Sequence, residues 1–435
     1  MKLSYVAAAA LAGVANAIPT ITATGNKFFT SEGKQFFMKG VAYQLLPDDP
    51  LVDTEQCGRD AALMKTLGAN AIRVYHVDPK ADHSGCMSEF ADAGIYAIID
   101  LDTFNTYILP DDPWWNSTQV AAYGAVMDAF SKFDNTLGFF VGNEVIARAN
   151  QSQAAPFIKA AARDLKAYRD NKGYRKFPIG YSAADIAELR PMLQDYLTCG
   201  GNNSEIIDMF ALNSYEWCDP ANYNTSGYAN LQSMAVDFPV PMFFSETGCN
   251  VPGPRLFEDQ AAIFGPEMIN DWSGSLIYEW IQEENNYGLI SYGPKVDATA
   301  TGENIAGGYT RKGTPLPVTP DFDNLSKQWA TITPTGVSLS AYDAKHVSTR
   351  ACPTSTAGGW LIDGNVKLPA VGETYSGSYT ASATATSSPE TTGTGSGTGS
   401  AATPSSSNNP APVNKQVAGM SAGLVGVMLF FTLWL

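Results

Sequence analysis

Residues 137–144 read Leu-Gly-Phe-Phe-Val-Gly-Asn-Glu, a short β-rich apolar run that ends in an amide and a carboxylate. A stretch with apolar residues at helical spacing follows it. This alternation repeats from residue 36 onward and favours parallel strands joined by crossover helices. The candidate strands are 36–43, 70–77, 95–101, 137–143, 177–182, 209–215, 241–245 and 275–280. The clearest helical stretches are 55–67, 119–133, 156–168 and 257–268.

The number of repeats predicts an α/β fold, a closed (β/α)8 TIM barrel. Eight repeats over about 260 residues are the usual size of such a barrel. A doubly wound open sheet shows the same alternation, but a glycine-rich turn follows its first strand. Here Tyr43-Gln44-Leu45 follows the first candidate strand. The barrel is therefore favoured over the open sheet.

Composition excludes several classes of function. The chain has 435 residues, with 27 Lys and Arg against 43 Asp and Glu and a net charge of -16. Such a surface repels a polyphosphate, so we expect no nucleic-acid partner. The three histidines, His76, His83 and His346, include no pair at i, i+4, which leaves little material for a histidine-rich metal site. We expect no metal and no cofactor, and carboxylate chemistry is the default.

The two ends of the chain indicate the secretory pathway. Lys2 precedes an uncharged stretch, and Ala15-Asn16-Ala17 fits a signal-peptidase site, so residues 1–17 are predicted to be a signal peptide. Residues 417–435 carry no charge, and no basic residue follows them. An apolar tail behind a polar spacer and small residues is typical of a glycosylphosphatidylinositol (GPI) signal.

The GPI signal predicts both the attachment site and the location of the mature protein. We expect lipid attachment at Ser405 or Ser406, with residues 408–435 removed as a propeptide. The protein would then lie on the outer face of the plasma membrane or in the cell wall. A single C-terminal membrane helix is the alternative.

A low-complexity segment separates this signal from the globular part. Between 380 and 407 every residue except Glu390 is Ser, Thr, Gly, Ala or Pro, which predicts a disordered stalk. The barrel domain is expected over 18–355, and 356–379 would connect it to the stalk. Each N-glycosylation sequon is a candidate for a surface loop. They begin at Asn116, Asn150, Asn202, Asn224 and Asn324.

The six cysteines are an even number in an oxidising compartment, so disulfides are expected rather than free thiols or a metal site. Their pairing stays open at this point, because six cysteines allow many connectivities. All of them precede the stalk: Cys57, Cys86, Cys199, Cys218, Cys249 and Cys352.

Two glutamates follow candidate strands at the end where a barrel carries its active site. Glu144 comes after the fourth strand and Glu246 after the seventh. Glycoside cleavage needs one carboxylic acid to protonate the leaving oxygen and one carboxylate to attack from the opposite face. Either glutamate alone has a plain structural explanation, because glutamate is common at solvated strand ends. The pair, with Asn143 able to bond a sugar 2-hydroxyl, predicts a retaining glycosidase.

Four motifs resemble those of glycoside hydrolase family 72, the fungal β-1,3-glucanosyltransferases of the cell wall. They are Gly40-Val-Ala-Tyr-Gln44, Ile72-Arg-Val-Tyr75, Val141-Gly-Asn-Glu-Val145 and Phe244-Ser-Glu-Thr-Gly-Cys249, and the match runs in order over residues 20–355. The resemblance implies that Glu144 is the acid/base and Glu246 the nucleophile. It also implies a set of substrate contacts. These are Tyr75, Asn143 and Tyr278 for the donor, Asp185 and Arg190 for the acceptor, Tyr215 near the nucleophile, and Gln44.

The residues themselves leave alternatives open at some of these positions. Without the family, Tyr215 would be interpreted nearly as readily as a packed aromatic residue at a strand end. Asp185 and Arg190 would be interpreted as a helix N-terminal acid with a solvated basic partner.

The resemblance further implies three disulfides, Cys57–Cys86, Cys218–Cys249 and Cys199–Cys352. Some family members carry a cysteine-rich carbohydrate-binding module after the barrel. This chain departs from that pattern, because no cysteine follows Cys352.

The implied activity is that of a transferase acting on cell-wall glucan. It would cleave a β-1,3-glucan internally and transfer the new reducing end to the non-reducing end of a second β-1,3-glucan, working as a monomer. A plain endo-β-1,3-glucanase is the nearer alternative, and a non-catalytic wall adhesin is the farther one. The pairing of Glu144 with Glu246 counts against the adhesin, since a binding module needs neither an acid nor a nucleophile.

Overall fold

The computed structural model describes residues 18–45, 49–302, 304–347 and 349–374. Several predicted segments lie outside these residues. They are the signal peptide (1–17), the end of the connecting segment (375–379), the stalk (380–407) with Ser405 and Ser406, and the propeptide (408–435).

Eight parallel strands form a closed barrel in sequence order, which confirms the predicted fold class. The last strand (Trp272–Ile277) closes the barrel onto the first (Met38–Ala42), with Gly274 opposite Met38. A side-chain carbon at Gly274 would lie 2.1 Å from the Met38 carbonyl oxygen, and its φ is 119°, so only glycine fits this seam. The strands are β1 (Met38–Ala42), β2 (Ala71–Val74), β3 (Tyr96–Asp100), β4 (Thr136–Asn143), β5 (Ile179–Ala184), β6 (Met209–Asn213), β7 (Met242–Thr247) and β8 (Trp272–Ile277).

Helices pack around the barrel, and the main hydrophobic core lies between the helices and the strands. The predicted helix over 257–268 was too long. Only Asp259–Ile263 is helical there, because Phe257 has a left-handed backbone and Gly265 precedes a proline. The α-helices are α1 (Thr54–Leu67), α2 (Ser84–Asp92), α3 (Ser117–Phe130), α4 (Ala155–Asn171), α5 (Arg190–Thr198), α6 (Tyr228–Ala235), α7 (Asp259–Ile263) and α8 (Asp321–Thr331). Short 3-10 helices cover Ala149–Ala154 and Ala344–His346.

A small antiparallel sheet closes the N-terminal end of the barrel. Its strands are Ile21–Thr24, Lys27–Thr30 and Gln35–Phe36. Phe28 and Phe36 pack in one cluster with residues near the starts of the barrel strands, including Met38 and Tyr96. The opposite end, where the strands terminate, therefore carries the candidate site.

The segment after the barrel packs back onto it. Trp360 is buried against Tyr196 of α5, and the Leu361 N–H donates to Ser152 Oγ at 3.0 Å. Glu373–Thr374 pairs antiparallel with Trp114–Trp115. Two further short pairs join Ile290–Ser291 to Leu316–Pro317 and Ile305–Ala306 to Tyr309–Thr310.

The three disulfides that the family resemblance implied are present. They are Cys57–Cys86, Cys199–Cys352 and Cys218–Cys249. The second ties the C-terminal segment to the end of α5. Among the described residues, no helix has both the length and the apolar character that crossing a bilayer requires.

Candidate active site

Two carboxylates lie at the mouth of the barrel. Glu144 follows the last residue of β4, and Glu246 lies in β7 opposite Asn213 of β6. Glu144 has a left-handed backbone (φ 49°), which costs a non-glycine residue on the order of 1 kcal/mol. Its N–H donates to the Ser182 carbonyl at 2.9 Å, and this bond supports the turn. The Glu144 side chain accepts a 2.9 Å hydrogen bond from Asn213 Nδ2.

Glu246 is buried and accepts hydrogen bonds from three groups. The Tyr215 hydroxyl donates to Oε2 at 2.8 Å, and the Tyr75 hydroxyl donates to Oε1 at 3.0 Å. The Arg73 guanidinium donates to the same Oε1 at 3.2 Å. These hydrogen bonds engage both carboxylate oxygens of Glu246, which holds the group in one orientation and favours its charged form.

Arg73 of β2 joins the two halves of the site. It is 0% exposed and forms a two-pronged ion pair with Asp100 of β3, at 2.8 and 3.2 Å. It also donates to the side-chain oxygens of Asn143 (2.9 Å) and Asn213 (3.4 Å), besides Glu246. A buried guanidinium needs this many acceptors because its charge is costly to remove from water.

The Arg73 contact determines which way the Asn143 amide faces. Arginine has no acceptor, so the Asn143 oxygen must point toward it. The same oxygen accepts from Asn213 Nδ2 (3.0 Å) and Ser182 Oγ (2.9 Å). The amide hydrogens of Asn143 are therefore the part left for a ligand, and they would donate to a sugar hydroxyl.

The surroundings of the two glutamates act differently on their pKa values. Burial raises the pKa of Glu144, and only Asn213 and the more distant Arg73 oppose this effect. Burial also raises the pKa of Glu246, where Arg73 opposes the effect and the charge of Glu144 adds to it. Two neighbouring carboxylates disfavour double ionisation. A guanidinium and two phenols donate to Glu246 and favour its charged form, the form that a nucleophile requires, whereas Glu144 accepts a single bond from Asn213.

Aromatic side chains form one wall of the mouth. Tyr215 lies edge-on to Tyr278, with ring centroids 6.3 Å apart. The Tyr278 hydroxyl accepts a 2.9 Å hydrogen bond from Gln44 Nε2. With Tyr75 also bonded to Glu246, the structure brings together all four of these expected contact residues.

Gln44 also donates to a buried carboxyl group that was not predicted from the sequence as a site residue. Glu279 is fully buried and accepts from Gln44 Nε2 at 2.6 Å and from Asn285 Nδ2 at 2.7 Å. Burial raises the pKa of Glu279, and the charge of Glu283 adds to the effect. Both amide hydrogens of Gln44 are used by Glu279 and Tyr278, so its oxygen is the atom free to accept from a ligand.

Asp185 and Arg190 pair with each other, but not in the way that the residue types alone suggested. Arg190 begins α5 and is only 1% exposed, so the interpretation as a solvated basic partner was wrong. It forms an ion pair with Asp185 and lies 3.8 Å from Glu216. The Ser214 hydroxyl donates to Asp185 at 2.6 Å. This charged cluster follows β5 and β6 at the mouth of the barrel.

The sequon asparagines differ in how accessible they are. Asn150, Asn202 and Asn224 are exposed. Asn116 caps α3 through its side chain, and Asn324 lies within α8, where its Nδ2 donates to the Arg255 carbonyl at 2.9 Å.

Arg73, Asp100 and Asn213 were not predicted from the sequence as site residues, although one sequence feature could have identified them. Each is a polar residue in an otherwise apolar strand, and a buried polar group requires a partner. Within the described ranges, no group of His, Cys, Asp and Glu side chains is arranged to hold a metal ion.

Comparison with known proteins identifies similar chains. A family model described as glucanosyltransferase, glycoside hydrolase family 72, matches residues 10–305. Protein EPD1 of Candida maltosa is 40% identical over 347 residues, which cover 78% of this chain and 60% of that protein. A 1,3-beta-glucanosyltransferase of Arthroderma benhamiae is 39% identical over 365 residues, covering 81% of this chain and 63% of that protein. The chain thus spans less than two thirds of the length of either relative.

Solved structures of glucanosyltransferases are also similar to this chain. Saccharomyces cerevisiae Gas2p, in complex with laminaritriose and laminaritetraose, is 38% identical and superposes with a TM-score of 0.73. The match covers 81% of this chain and 77% of that one.

Proposed function

The chain belongs to the glucanosyltransferases of glycoside hydrolase family 72, and we propose that it elongates β-1,3-glucan. It would cleave one glucan internally and transfer the new reducing end to the non-reducing end of a second. The observation that carries this proposal is the Glu144 and Glu246 pair, with Glu246 held by Arg73, Tyr75 and Tyr215. A sugar-binding adhesin has no need for a carboxylate oriented in this way.

In the first half-reaction Glu246 is the nucleophile. Its carboxylate attacks the anomeric carbon, and the bond from that carbon to the bridging oxygen breaks. Glu144 gives its proton to the departing oxygen, so the leaving glucan ends in a hydroxyl. The first sugar is then held as an ester of Glu246. The amide hydrogens of Asn143 are available to donate to the 2-hydroxyl of this sugar. That hydrogen bond strengthens as charge develops on the sugar.

In the second half-reaction Glu144 acts as a base. It takes the proton from a hydroxyl of the acceptor glucan, and the resulting oxygen attacks the anomeric carbon. The ester breaks, Glu246 is again a carboxylate, and Glu144 is again protonated. If water replaces the acceptor, the same steps give hydrolysis, which is the endo-β-1,3-glucanase alternative.

The choice between transfer and hydrolysis depends on how well the acceptor is positioned. An oriented hydroxyl gains a large entropic advantage over water. Asp185 and Arg190, buried at the mouth after β5, supply charged groups that suit the hydroxyls of an acceptor sugar. This cluster is the feature that favours the transferase over the hydrolase.

We expect the purified protein to lengthen a reduced linear β-1,3-gluco-oligosaccharide. Chromatography with mass spectrometry should reveal products longer than the donor and few new reducing ends. Asp185→Ala should shift the products toward shorter, hydrolysed oligosaccharides, because a loosely held acceptor loses its advantage over water. Glu32→Ala, which removes an exposed ion pair with Lys34 far from the mouth, is the matched control. Only shorter products from the wild-type protein, even at high acceptor concentration, would favour the hydrolase.

We also propose that the protein is held on the outer face of the plasma membrane by a GPI anchor. Support comes from the uncharged residues 417–435 behind the small residues at 405–407. Phosphatidylinositol-specific phospholipase C should release the protein from membranes, and deletion of 417–435 should send it into the medium. Resistance to the phospholipase, with a C-terminal tag retained on the mature protein, would favour a membrane helix.

A further inference from the structure

Four neighbouring strands of the barrel each contribute one polar side chain to a hydrogen-bond network beside the two glutamates. They are Asn143 of β4, Ser182 of β5, Asn213 of β6 and Ser245 of β7. Asn213 and both serines are buried. A buried polar group is costly unless it is hydrogen-bonded, so the donors and acceptors of this network must match one another.

The contacts of the Asn213 amide allow it to face in one direction. Its Oδ1 lies 2.8 and 3.0 Å from the two serine hydroxyls and accepts from the Arg73 guanidinium at 3.4 Å. Arginine has no acceptor, so a reversed amide would turn its N–H groups toward a cation. Reversal would also bring Oδ1 to 3.0 Å from the Asn143 Oδ1, which is itself an acceptor held by Arg73. The amide hydrogens of Asn213 therefore point to Asn143 Oδ1 and Glu144 Oε1.

This orientation makes the two oxygens of Glu144 different. Oε1 accepts the Asn213 N–H at 2.9 Å, whereas Oε2 accepts no hydrogen bond from the residues that the structure describes. In a protonated carboxyl the carbonyl oxygen is the better acceptor, and an amide N–H cannot accept a proton. The acid form of Glu144 therefore has its carbonyl oxygen at Oε1 and its hydroxyl at Oε2. The Glu144 backbone is held as well, because its N–H donates to the Ser182 carbonyl at 2.9 Å.

We propose that Asn213 is a positioning residue that determines which oxygen of Glu144 carries the catalytic proton. The proton on Oε2 passes to the departing glucan oxygen, the bond from that oxygen to the anomeric carbon breaks, and Glu246 bonds to the same carbon. In the second half-reaction the acceptor hydroxyl returns a proton to Oε2, because Oε1 still accepts from Asn213. Between the two steps the same N–H stabilises the Glu144 carboxylate. This inference rests on the proposed function and adds to it the residue that directs the proton.

Asn213→Asp tests the role of the amide, because it keeps the shape of the side chain and removes its hydrogens. Beside Arg73 the new carboxyl group is charged, and it draws the Glu144 proton onto Oε1, away from the leaving oxygen. The rate on a linear β-1,3-gluco-oligosaccharide should fall about 10²-fold, which is within the range for the loss of a general acid. Asn171→Asp, which adds the same charge at the exposed end of α4, is the matched control and should have the wild-type rate.

The loss of rate should depend on the leaving group of the donor. A dinitrophenyl glycoside of the same oligosaccharide departs without a proton, so Asn213→Asp should release the first equivalent of dinitrophenol at about the wild-type rate. The glycosyl-enzyme should then accumulate on Glu246, because the acceptor hydroxyl lacks a base. Stopped-flow absorbance measures the first turnover, and mass spectrometry of the intact protein detects the ester.

A second variant keeps the test independent of one substitution. Asn213→Ala removes the amide without adding a charge, and the proton can then occupy either oxygen of Glu144. The rate on the oligosaccharide should fall about tenfold, the effect of one lost hydrogen bond to a charged group, with the first turnover of the dinitrophenyl donor again unchanged. Urea denaturation shows that each variant used in the comparison is folded.

The two donors distinguish a role in proton transfer from a structural one. Equal losses on both donors in a folded variant would overturn the role of Asn213, because it would then support the nucleophile or the site as a whole. An unchanged rate of Asn213→Asp on the oligosaccharide, or failure of both variants to fold, would overturn it as well. In these cases wild-type turnover would leave the proposed function standing. If the wild-type chain forms no glycosyl-enzyme from the dinitrophenyl donor, the proposed function fails together with this inference.

Discussion

Glu246→Gln is expected to abolish turnover, and Glu144→Gln is expected to lower it by about 10²–10⁴-fold. Without the carboxylate of Glu246 no glycosyl-enzyme forms. Without Glu144 the ester still forms, but slowly, because the departing oxygen must leave without a proton. Initial rates on a linear β-1,3-gluco-oligosaccharide measure both effects. The exposed Glu267→Gln is the matched control, and it should have wild-type rates.

An activated donor distinguishes the roles of the two glutamates. A dinitrophenyl glycoside of a β-1,3-gluco-oligosaccharide has a leaving group that needs no proton. Glu144→Gln should therefore release dinitrophenol in a burst and accumulate the glycosyl-enzyme, which mass spectrometry detects on Glu246. Glu246→Gln should show neither. A burst in Glu246→Gln, or none in Glu144→Gln, would contradict the assignment.

Replacing Arg73 should have the largest effect on stability. Arg73→Met leaves the buried carboxylates of Asp100 and Glu246 without their cation, and breaking a buried pair in this way costs about 3–5 kcal/mol. Activity should also be lost, because Asn143, Asn213 and Glu246 lose the donor that orients them. Urea denaturation gives the change in the free energy of unfolding. Arg148→Met, at an exposed ion pair, should change it by less than about 0.5 kcal/mol.

The loss of stability in Arg73→Met should depend on pH. Burial already raises the pKa values of Asp100 and Glu246, and removal of Arg73 raises them further. A carboxyl with a raised folded-state pKa costs nothing below its unfolded pKa of about 4, and the cost grows as the pH rises toward the folded value. Both proteins lose stability in parallel up to the wild-type folded-state pKa, which is about 7 for Glu246, so the deficit of the variant should widen as the pH rises past that value. A deficit that does not widen above pH 7 would contradict the role of Arg73 in keeping this carboxylate charged.

Predictions that depend on local pattern succeeded where the pattern is strong. Each of the eight barrel strands overlaps a candidate strand, because a short apolar run has few ways to bury itself. The eighth strand lies three residues earlier than predicted, at Trp272–Ile277. Tyr278 and Glu279 leave the strand, and their side chains bond to Gln44 at the site.

The barrel, the two glutamates at strand ends and, through the family motifs, the three disulfides could all be predicted from the sequence. The contacts that hold the site together could not, and they are visible only in the folded chain. Arg73 contacts Asp100, 27 residues away, and Glu246, 173 residues away. Local periodicity describes each strand alone, whereas these contacts depend on the register between strands and on which side chains point into the barrel. The same reason applies to Arg190, whose burial depends on α5 packing against the loop after β6 and not on the residues beside it.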